Sequence, residues 1–396
     1  MKKLLVLGAG IYQVPLIKKA KQMGLYTIVA SCQGPYPGLA LADEVWEIDT
    51  RDSAMLLARS RKANIDGVVT TGTDVAVRSV GIICEELGLN GLSAKAAKTV
   101  SDKALMKEAF VEGQVATPKA YKVSSLHEAI KVFANIDGPV LIKAVDSSGS
   151  RGITKVEVLG DVEQAYEVAR AVSEKTYVLV EEFIQTHEVG VDGFISHGEI
   201  GFVLPHDKFT YTVDNVTIPV GHAFPFECSS KLEATIIEQM KRAVHATGLD
   251  NCAINADVLI TKDKAYILEI GGRTGATCIP ELISIYGDFN YYQQLILNAL
   301  GKKPDFSFGE ATPCMGKLIF SDIDGEITDI NEEFIEKLRS KDVQIALDFS
   351  VGDKVEAVKN GTSRIGAVIM KTADVKVLDD VVSKVRGAIT IDEENQ

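Results

Sequence analysis

The sequence predicts an α/β protein that opens with a doubly wound layer and closes with a small β-rich segment. Strand and helix patterns alternate through residues 1–92, with apolar strands expected at 4–7, 27–31, 45–48 and 66–70 and a helix over 75–87 closed by Gly88. From Lys303 onward, Pro304, Pro313 and a shift in composition mark a boundary before a segment rich in strand formers. Between them lies a stretch of mixed strands and helices. With 396 residues the chain has room for two or three domains with sizeable cores.

Composition narrows the function. The chain is 46% apolar and 24% charged, which is ordinary for a folded protein and unlike a disordered one. A net charge of −13 without a basic stripe argues against nucleic acid as a partner. No apolar run approaches membrane-spanning length. The opening MKKLLVLGAGI has a basic start, but its short apolar run meets Tyr12-Gln13-Val14-Pro15 and reads as a buried first strand, not a leader. Six scattered cysteines without a CxxC pair fit free thiols in a reducing cytoplasm.

In chain order, the first turn, Gly8-Ala9-Gly10-Ile11-Tyr12-Gln13, holds the first two glycines of a dinucleotide fingerprint and lacks the third. Tight strand-to-helix packing is the preferred reading over NAD binding. Asp74 ends the fourth strand, where open α/β sheets bind ligands; it either touches a substrate or caps the next helix. Ser101 is expected to cap a helix over 102–112, on which Lys103 and Lys107 lie one turn apart on the same face. A short strand over 119–123 and a capping box, Ser125 to Glu128, follow.

Pro139–Lys155 is more informative. An apolar strand carries Lys143 near its end, and the loop Ser147-Ser148-Gly149-Ser150-Arg151-Gly152 leads to a return strand. Glycines let backbone N–H groups approach phosphate oxygens, the serines add donors, and a lysine ending an apolar strand needs an anion. A phosphate site is preferred to a bare hairpin tip, although no Walker A pattern is present. The strand Tyr177–Glu181 runs into Glu182-Phe183-Ile184, a strand-to-loop crossover whose backbone edges suit a purine, with Glu188 placed for ribose hydroxyls. Two strands are expected over 189–195 and 200–204. Pro205 should end the second, leaving 206–228 irregular with His222 as a substrate-contact candidate.

An amphipathic helix over 231–247 precedes Asp257–Arg273. A hairpin closing on Lys262–Lys264 sets Asp257 and Glu269 opposite each other, with Asn255 on the same face. Two carboxylates on rigid backbone suit Mg²⁺ carrying phosphate ligands. Arg273, freed from the sheet by Gly271-Gly272, can grip a carboxylate or phosphate in bidentate fashion. Helices are expected over 279–286, 291–300, 331–339 and 377–385.

The order SDKALMK, PVLIK with SSGSRG, VLVEEFIxxxE, then an aspartate, a glutamate and an arginine resembles the ATP-grasp superfamily of carboxylate–amine ligases. Biotin-carboxylase-like and carbamoyl-phosphate-synthase-like members are similar over roughly residues 1–300. The resemblance implies an N-terminal domain at 1–92, a two-lobed ATP-grasp domain at 93–302 with its small lobe near 117–184, and a β-rich domain at 303–396. It implies ATP with Mg²⁺ or Mn²⁺, small carboxylate and amine substrates and no membrane, and leaves a homodimer open. Lys103 and Lys143 match the nucleotide-phosphate lysines. Ser147–Gly152 match the loop over the triphosphate, Glu181 to Ile184 the adenine hinge, and Glu188 the ribose acid. Asp257 and Glu269 match the metal acids, and Arg273 the arginine at the acyl phosphate. Gly271 stands where many members have asparagine, so that metal ligand is either missing or supplied by Asn255 or water, which leaves one or two metals open. An ATP-grasp carboxylase, a purine-pathway ligase and a non-catalytic nucleotide-binding module are the rival expectations; a dehydrogenase would rest on the incomplete glycine turn alone.

Overall fold

Strands buried on both faces read as continuous apolar runs and pair in parallel; the first, second and fourth strands read this way, and the third joins the parallel sheet at its edge. The computed structural model of the chain describes residues 1–147, 151–213, 216–359 and 361–393. In it β1 (Lys3–Leu7), α1 (Val14–Gln22), β2 (Tyr26–Ser31), β3 (Glu44–Glu47), α2 (Ser53–Ala63), β4 (Gly67–Val69) and α3 (Val77–Leu87) follow in order. The strands form one parallel sheet in the order β3-β2-β1-β4. Its glycine turn is filled from within: the Gly10 amide donates to Gln13 Oε1 at 2.9 Å, and Gln13 Nε2 donates to the Thr71 carbonyl at 2.5 Å. The turn ties β1 to the end of β4, as the packing reading expects.

Ser93, which the sequence analysis passes over, caps an extra helix, α4 (Ala94–Val100). The cap of α5 (Lys103–Glu112) is Asp102, not Ser101: the Asp102 carboxylate accepts from the amides of Ala104 and Leu105. Ser101 already serves as the last residue of the preceding turn, and a carboxylate is the better acceptor at a helix N-terminus. The small lobe follows, with β5 (Ala120–Val123), α6 (Leu126–Asn135), β6 (Val140–Lys143), β7 (Ile153–Val156), α7 (Val162–Val172) and β8 (Val178–Glu182). Its antiparallel sheet runs β5-β8-β6-β7 over its own core, built on Val140, Ile142, Val178 and Val180.

The remaining elements are β9 (His187–Ser196), β10 (Glu199–Val213), β11 (Val216–Phe224), α8 (Ser230–Thr247), β12 (Cys252–Ile260), β13 (Ala265–Gly271), α9 (Ile279–Gly287), α10 (Tyr291–Ala299), β14 (Cys314–Phe320), β15 (Gly325–Ile330), α11 (Glu332–Leu338), β16 (Val343–Leu347), β17 (Lys354–Val355), β18 (Arg364–Met370), α12 (Val375–Gly387) and β19 (Ile389–Glu393). Eight of these strands make one sheet, β13-β12-β9-β10-β11-β14-β18-β16, which crosses residue 303 without a break because β11 pairs with β14. A second sheet of three, β17-β15-β19, completes the C-terminal part.

Two expectations fail here for one reason. Pro205 does not end its strand, and 206–228 is not irregular: β10 runs on to Val213 and β11 returns. The Pro205 carbonyl accepts from the Phe226 amide at 3.2 Å, so its ring nitrogen faces that edge and not β9. The missing N–H costs no ladder bond, because β10 pairs with β9 only as far as His206 and with β11 only from Asp207.

Alternation along β9 and β12 sorts the two faces of this sheet. Val189, Val191, Ile254, Ala256 and Val258 pack against Ile236 and Met240 of α8, while Glu188, Gly190, Asp192, Asn255 and Asp257 point the other way. A close approach fixes the N-terminal sheet against α10: a Cβ at Gly67 would lie 2.5 Å from the Ala299 carbonyl oxygen. Among the described residues no helix is long and apolar enough to cross a membrane.

Candidate active site

Hairpin geometry sets the two acids. β12 and β13 close with the Thr261 amide donating to the Lys264 carbonyl at 2.9 Å, a register that alone would pair Asp257 with Leu268. A bulge beside Asp257 shifts the ladder by one residue, and Asp257 faces Glu269 as expected. Across the sheet, one row reads Glu269, Asp257, Gly190, His206, and the next reads Gly271, Asn255, Asp192, Leu204.

Each acid already carries a cation. Lys103 Nζ lies 3.2 Å from Glu269 and donates to the Ser147 carbonyl at 2.8 Å. Lys103 lowers the Glu269 carboxyl to about 2 against the opposing effect of burial. Burial likewise works against the Lys103 charge, yet Glu269 outweighs it and holds the ammonium above its usual range. Lys208 bridges Asp257 at 2.7 Å and Glu188 at 2.5 Å. Burial raises the Glu188 carboxyl, and the Asp257 charge adds to the rise. Sequence reasoning missed Lys208 because it ended this strand at Pro205 and left 206–228 irregular; with β10 running on, the period of two puts Lys208 on the same face as His206.

Lys143 is held differently. Its Nζ bonds Glu181 Oε1, while Lys107 Nζ lies 2.8 Å from Glu181 Oε2 and donates to Thr117 at 2.5 Å. Glu181 is 1% exposed. Burial opposes its charge, but the two lysines outweigh that and keep its carboxyl below the ordinary range. Three charges therefore leave one net positive charge beside the phosphate loop. The Glu181 side chain belongs to this cluster, while the crossover backbone is tied to the edges of β5 and β6: the Glu182 amide donates to the Lys119 carbonyl at 2.8 Å and the Phe183 amide to the Pro139 carbonyl at 2.9 Å. Ile184 follows directly, between β8 and β9. In the loop, Ser147 Oγ donates to the Arg151 carbonyl at 2.5 Å, and Gly152 takes a positive φ of 67° where Ala144 closes the hairpin onto its carbonyl. Ser148, Gly149 and Ser150 lie outside the described residues.

Arg273 resolves the choice left open at Asp74. Its Nε and Nη2 donate to the two Asp74 oxygens, both at 2.8 Å, so Asp74 grips the arginine and caps nothing. A Cβ at Gly271 would sit 3.1 Å from Asp74 Oδ1, and a larger residue there would crowd this pair. Arg273 Nη1 donates to Asn255 Oδ1 at 2.7 Å, and Asn255 Nδ2 donates to Asp192 at 2.8 Å. Asn255 thus links Arg273 to Asp192. Asp192 is fully buried and also accepts from the Gly275 amide at 2.9 Å, with His206 Nε2 3.1 Å away. His222, expected as a substrate contact, is 3% exposed and stacks edge-on against His206 at 4.7 Å. Burial first, then His206 and Lys208, push it well below the usual imidazole range, so it stays neutral in the core.

Among the described residues no group of three or more His, Cys, Asp and Glu could hold a metal alone. Two facing carboxylates, each neutralised by a lysine, do fit a hard cation whose other ligands come from phosphate and water.

Residues 136–281 match a family model described as an ATP-grasp domain. The chain carries an ATP-grasp domain. The alanine–anticapsin ligase of Bacillus subtilis is 26% identical over 280 residues, 62% of this chain and 57% of that protein, so the chain spans little more than half of that relative. A phosphoribosylglycinamide synthetase from Anaerococcus prevotii superposes with a TM-score of 0.82 at 28% identity, covering 99% of this chain and all of that one. An L-amino acid ligase from Bacillus licheniformis superposes at 0.79 with 17% identity, covering 100% of this chain and 99% of that one, which shows a shared fold. The ATP-grasp domain thus contains Lys143, Glu181, Glu188, Asp257, Glu269 and Arg273, while Asp74 and Lys103 reach it from outside the matched span.

Proposed function

We propose that the protein is an ATP-dependent ligase that activates a carboxylate as an acyl phosphate and joins it to an amine, releasing ADP and phosphate. The observation that carries this is the paired Asp257 and Glu269, each held by a lysine, with the one at Glu269 also bonded to the loop at Ser147. In the proposed cycle Lys103 and Lys143 bind the phosphates. Asp257 and Glu269 would hold magnesium or manganese, which supplies charge neutralisation at the transferred phosphoryl group. As nucleotide enters, Lys103 would exchange Glu269 for a phosphate oxygen and leave that carboxylate to the metal, and Lys208 would release Glu188. Glu188, freed from Lys208, takes the ribose hydroxyls, and the crossover from Glu181 to Ile184 receives the adenine. Arg273 orients the incoming carboxylate for attack on the γ-phosphate, so the rate comes from positioning and charge neutralisation, not from a protein nucleophile.

The names of the similar proteins favour C–N bond formation with amino acids or a glycinamide-type product. Six free cysteines are in keeping with a reducing cytoplasm. A phosphate-release screen of carboxylates against amines, amino acids first, tests the proposal. ATP-dependent phosphate release should need both substrates together, and release independent of any carboxylate refutes it.

A further inference from the structure

Lys103 and Lys107 lie one turn apart on α5, and the proposed cycle uses only the first. Their ammonium groups go different ways. Lys103 reaches Glu269 and the Ser147 carbonyl, while Lys107 reaches Glu181 at 2.8 Å and Thr117 Oγ1 at 2.5 Å. The Thr117 hydroxyl donates in turn to the Ile267 carbonyl at 2.7 Å, and the Ile267 amide donates to the Ala116 carbonyl at 2.8 Å. Lys107 is thus fixed where α5, the end of β8, the linker into the small lobe and β13 meet. It is 5% exposed, with its ammonium 6.0 Å from the Phe110 ring centre.

The Glu181 carboxylate stands between two ammonium groups, Oε1 toward Lys143 and Oε2 toward Lys107. Among the described residues it is the ion-pair partner of both, so one carboxylate answers two buried cations. Burial lowers the Lys107 ammonium below its ordinary range; Glu181 works against the fall and Lys143 adds to it. A cluster kept only for stability would not need the third charge, because every buried charge carries a desolvation cost. A surplus of one buried cation is completed by an anion. Lys143 ends the strand that leads into the loop at 147–152, which is where the phosphates are assigned. Without Lys107, Lys143 and Glu181 would form a neutral pair with little pull on a phosphate.

We propose that Lys107 is a positioning residue of the nucleotide site: it holds Glu181 from the side of α5 and so leaves the Lys143 charge to the phosphates. The inference rests on the ligase reading and adds to it a residue outside the matched span 136–281.

The experiment is calorimetric titration of Mg·ATP into the full chain, as wild type, Lys107→Met, Lys107→Gln and Lys107→Gln with Glu181→Gln. A melt of each unliganded protein shows which variants are folded. Either single variant brings the cluster to zero net charge, and ATP affinity should fall roughly tenfold or more. Lys107→Gln keeps a polar head for Thr117 and Glu181, so it tests the charge even where Lys107→Met fails to fold. The double variant restores one positive charge through Lys143, and it should bind ATP more tightly than Lys107→Gln by roughly threefold or more. A loss of packing alone would deepen in the double variant, so this rescue separates charge from structure. Wild-type affinity in a folded single variant, or a double variant no tighter than Lys107→Gln, overturns the role of Lys107 and leaves the ligase standing. No Mg·ATP binding by the wild type removes the ligase reading and this inference together.

Discussion

Single charges in this cleft are legible through the partners they hold. Lys143 ends the strand that leads into the loop at 147–152, and Glu181, its ion-pair partner among the described residues, retains Lys107 when Lys143 is removed. Lys143→Ala should therefore fold and weaken ATP binding by about 1.5–3 kcal/mol, roughly ten- to a hundred-fold. Unchanged affinity by calorimetry would remove it from the phosphate site. Glu269→Gln should still bind ATP but lose turnover by orders of magnitude, because it deletes charge from the acid pair. The same residue has a pH signature. Its carboxyl is lowered from an ordinary 4.5 to about 2, so the stability it contributes is complete above about pH 4.5 and fades as pH falls toward 2. Acid unfolding of Glu269→Gln should show a flatter limb in that window, and an identical limb means that the pairing with Lys103 adds nothing. Arg273→Lys keeps charge and loses the planar fork that spans both Asp74 oxygens, so the apparent KM for the acid should rise, less than in Arg273→Ala, with ATP affinity kept. Loss of ATP binding in either variant would assign the arginine to the nucleotide.

At the scale of elements, the central sheet depends on one bare position in its active row. Gly190 stands between Asp257 and His206, and a Cβ there would lie 2.0 Å from His206 Cε1. That ring cannot simply swing aside, because it is fully buried against Asp192, His222 and Phe224. Gly190→Ala should push β9 and β10 apart and lower the melting temperature by overpacking, by about 1–3 kcal/mol or more. An unchanged melt would show that the network under Arg273 is loose. The β12–β13 bulge is the other such device: it places Glu269 opposite Asp257 by one extra residue, not by the turn.

For the whole molecule, the cleft gathers Asp74 from the N-terminal sheet, Lys103 from α5, Lys143 from the small lobe and Arg273 from the turn after β13. A ligand that joins them should stabilise the fold as a unit. Mg·ATP at a hundred times its Kd should add about 2.7 kcal/mol and a clear rise in melting temperature, whereas NAD(P)H should add none, since the glycine turn is filled by Gln13. A shift with NAD(P)H and none with Mg·ATP would return the first turn to nucleotide binding.

What the chain declared by itself was what local periodicity and turn chemistry determine. The parallel N-terminal layer, the Ser125 cap and the hairpin that carries Asp257 and Glu269 follow from patterns a few residues long. Tertiary structure decided the rest, because each remaining question turned on a partner distant in sequence. Asp74 stood open between a helix cap and a substrate contact until Arg273, 199 residues away, was found to hold it. His222 counted as a substrate-contact candidate while 206–228 was read as irregular, and the direction of the Pro205 nitrogen became visible only with Phe226 in place. Lys208 lies on a strand whose phase is set by long-range pairing, and no local signal says which carboxylate a lysine will face. Charge pairing acts through space and leaves no trace in the order of residues along the chain.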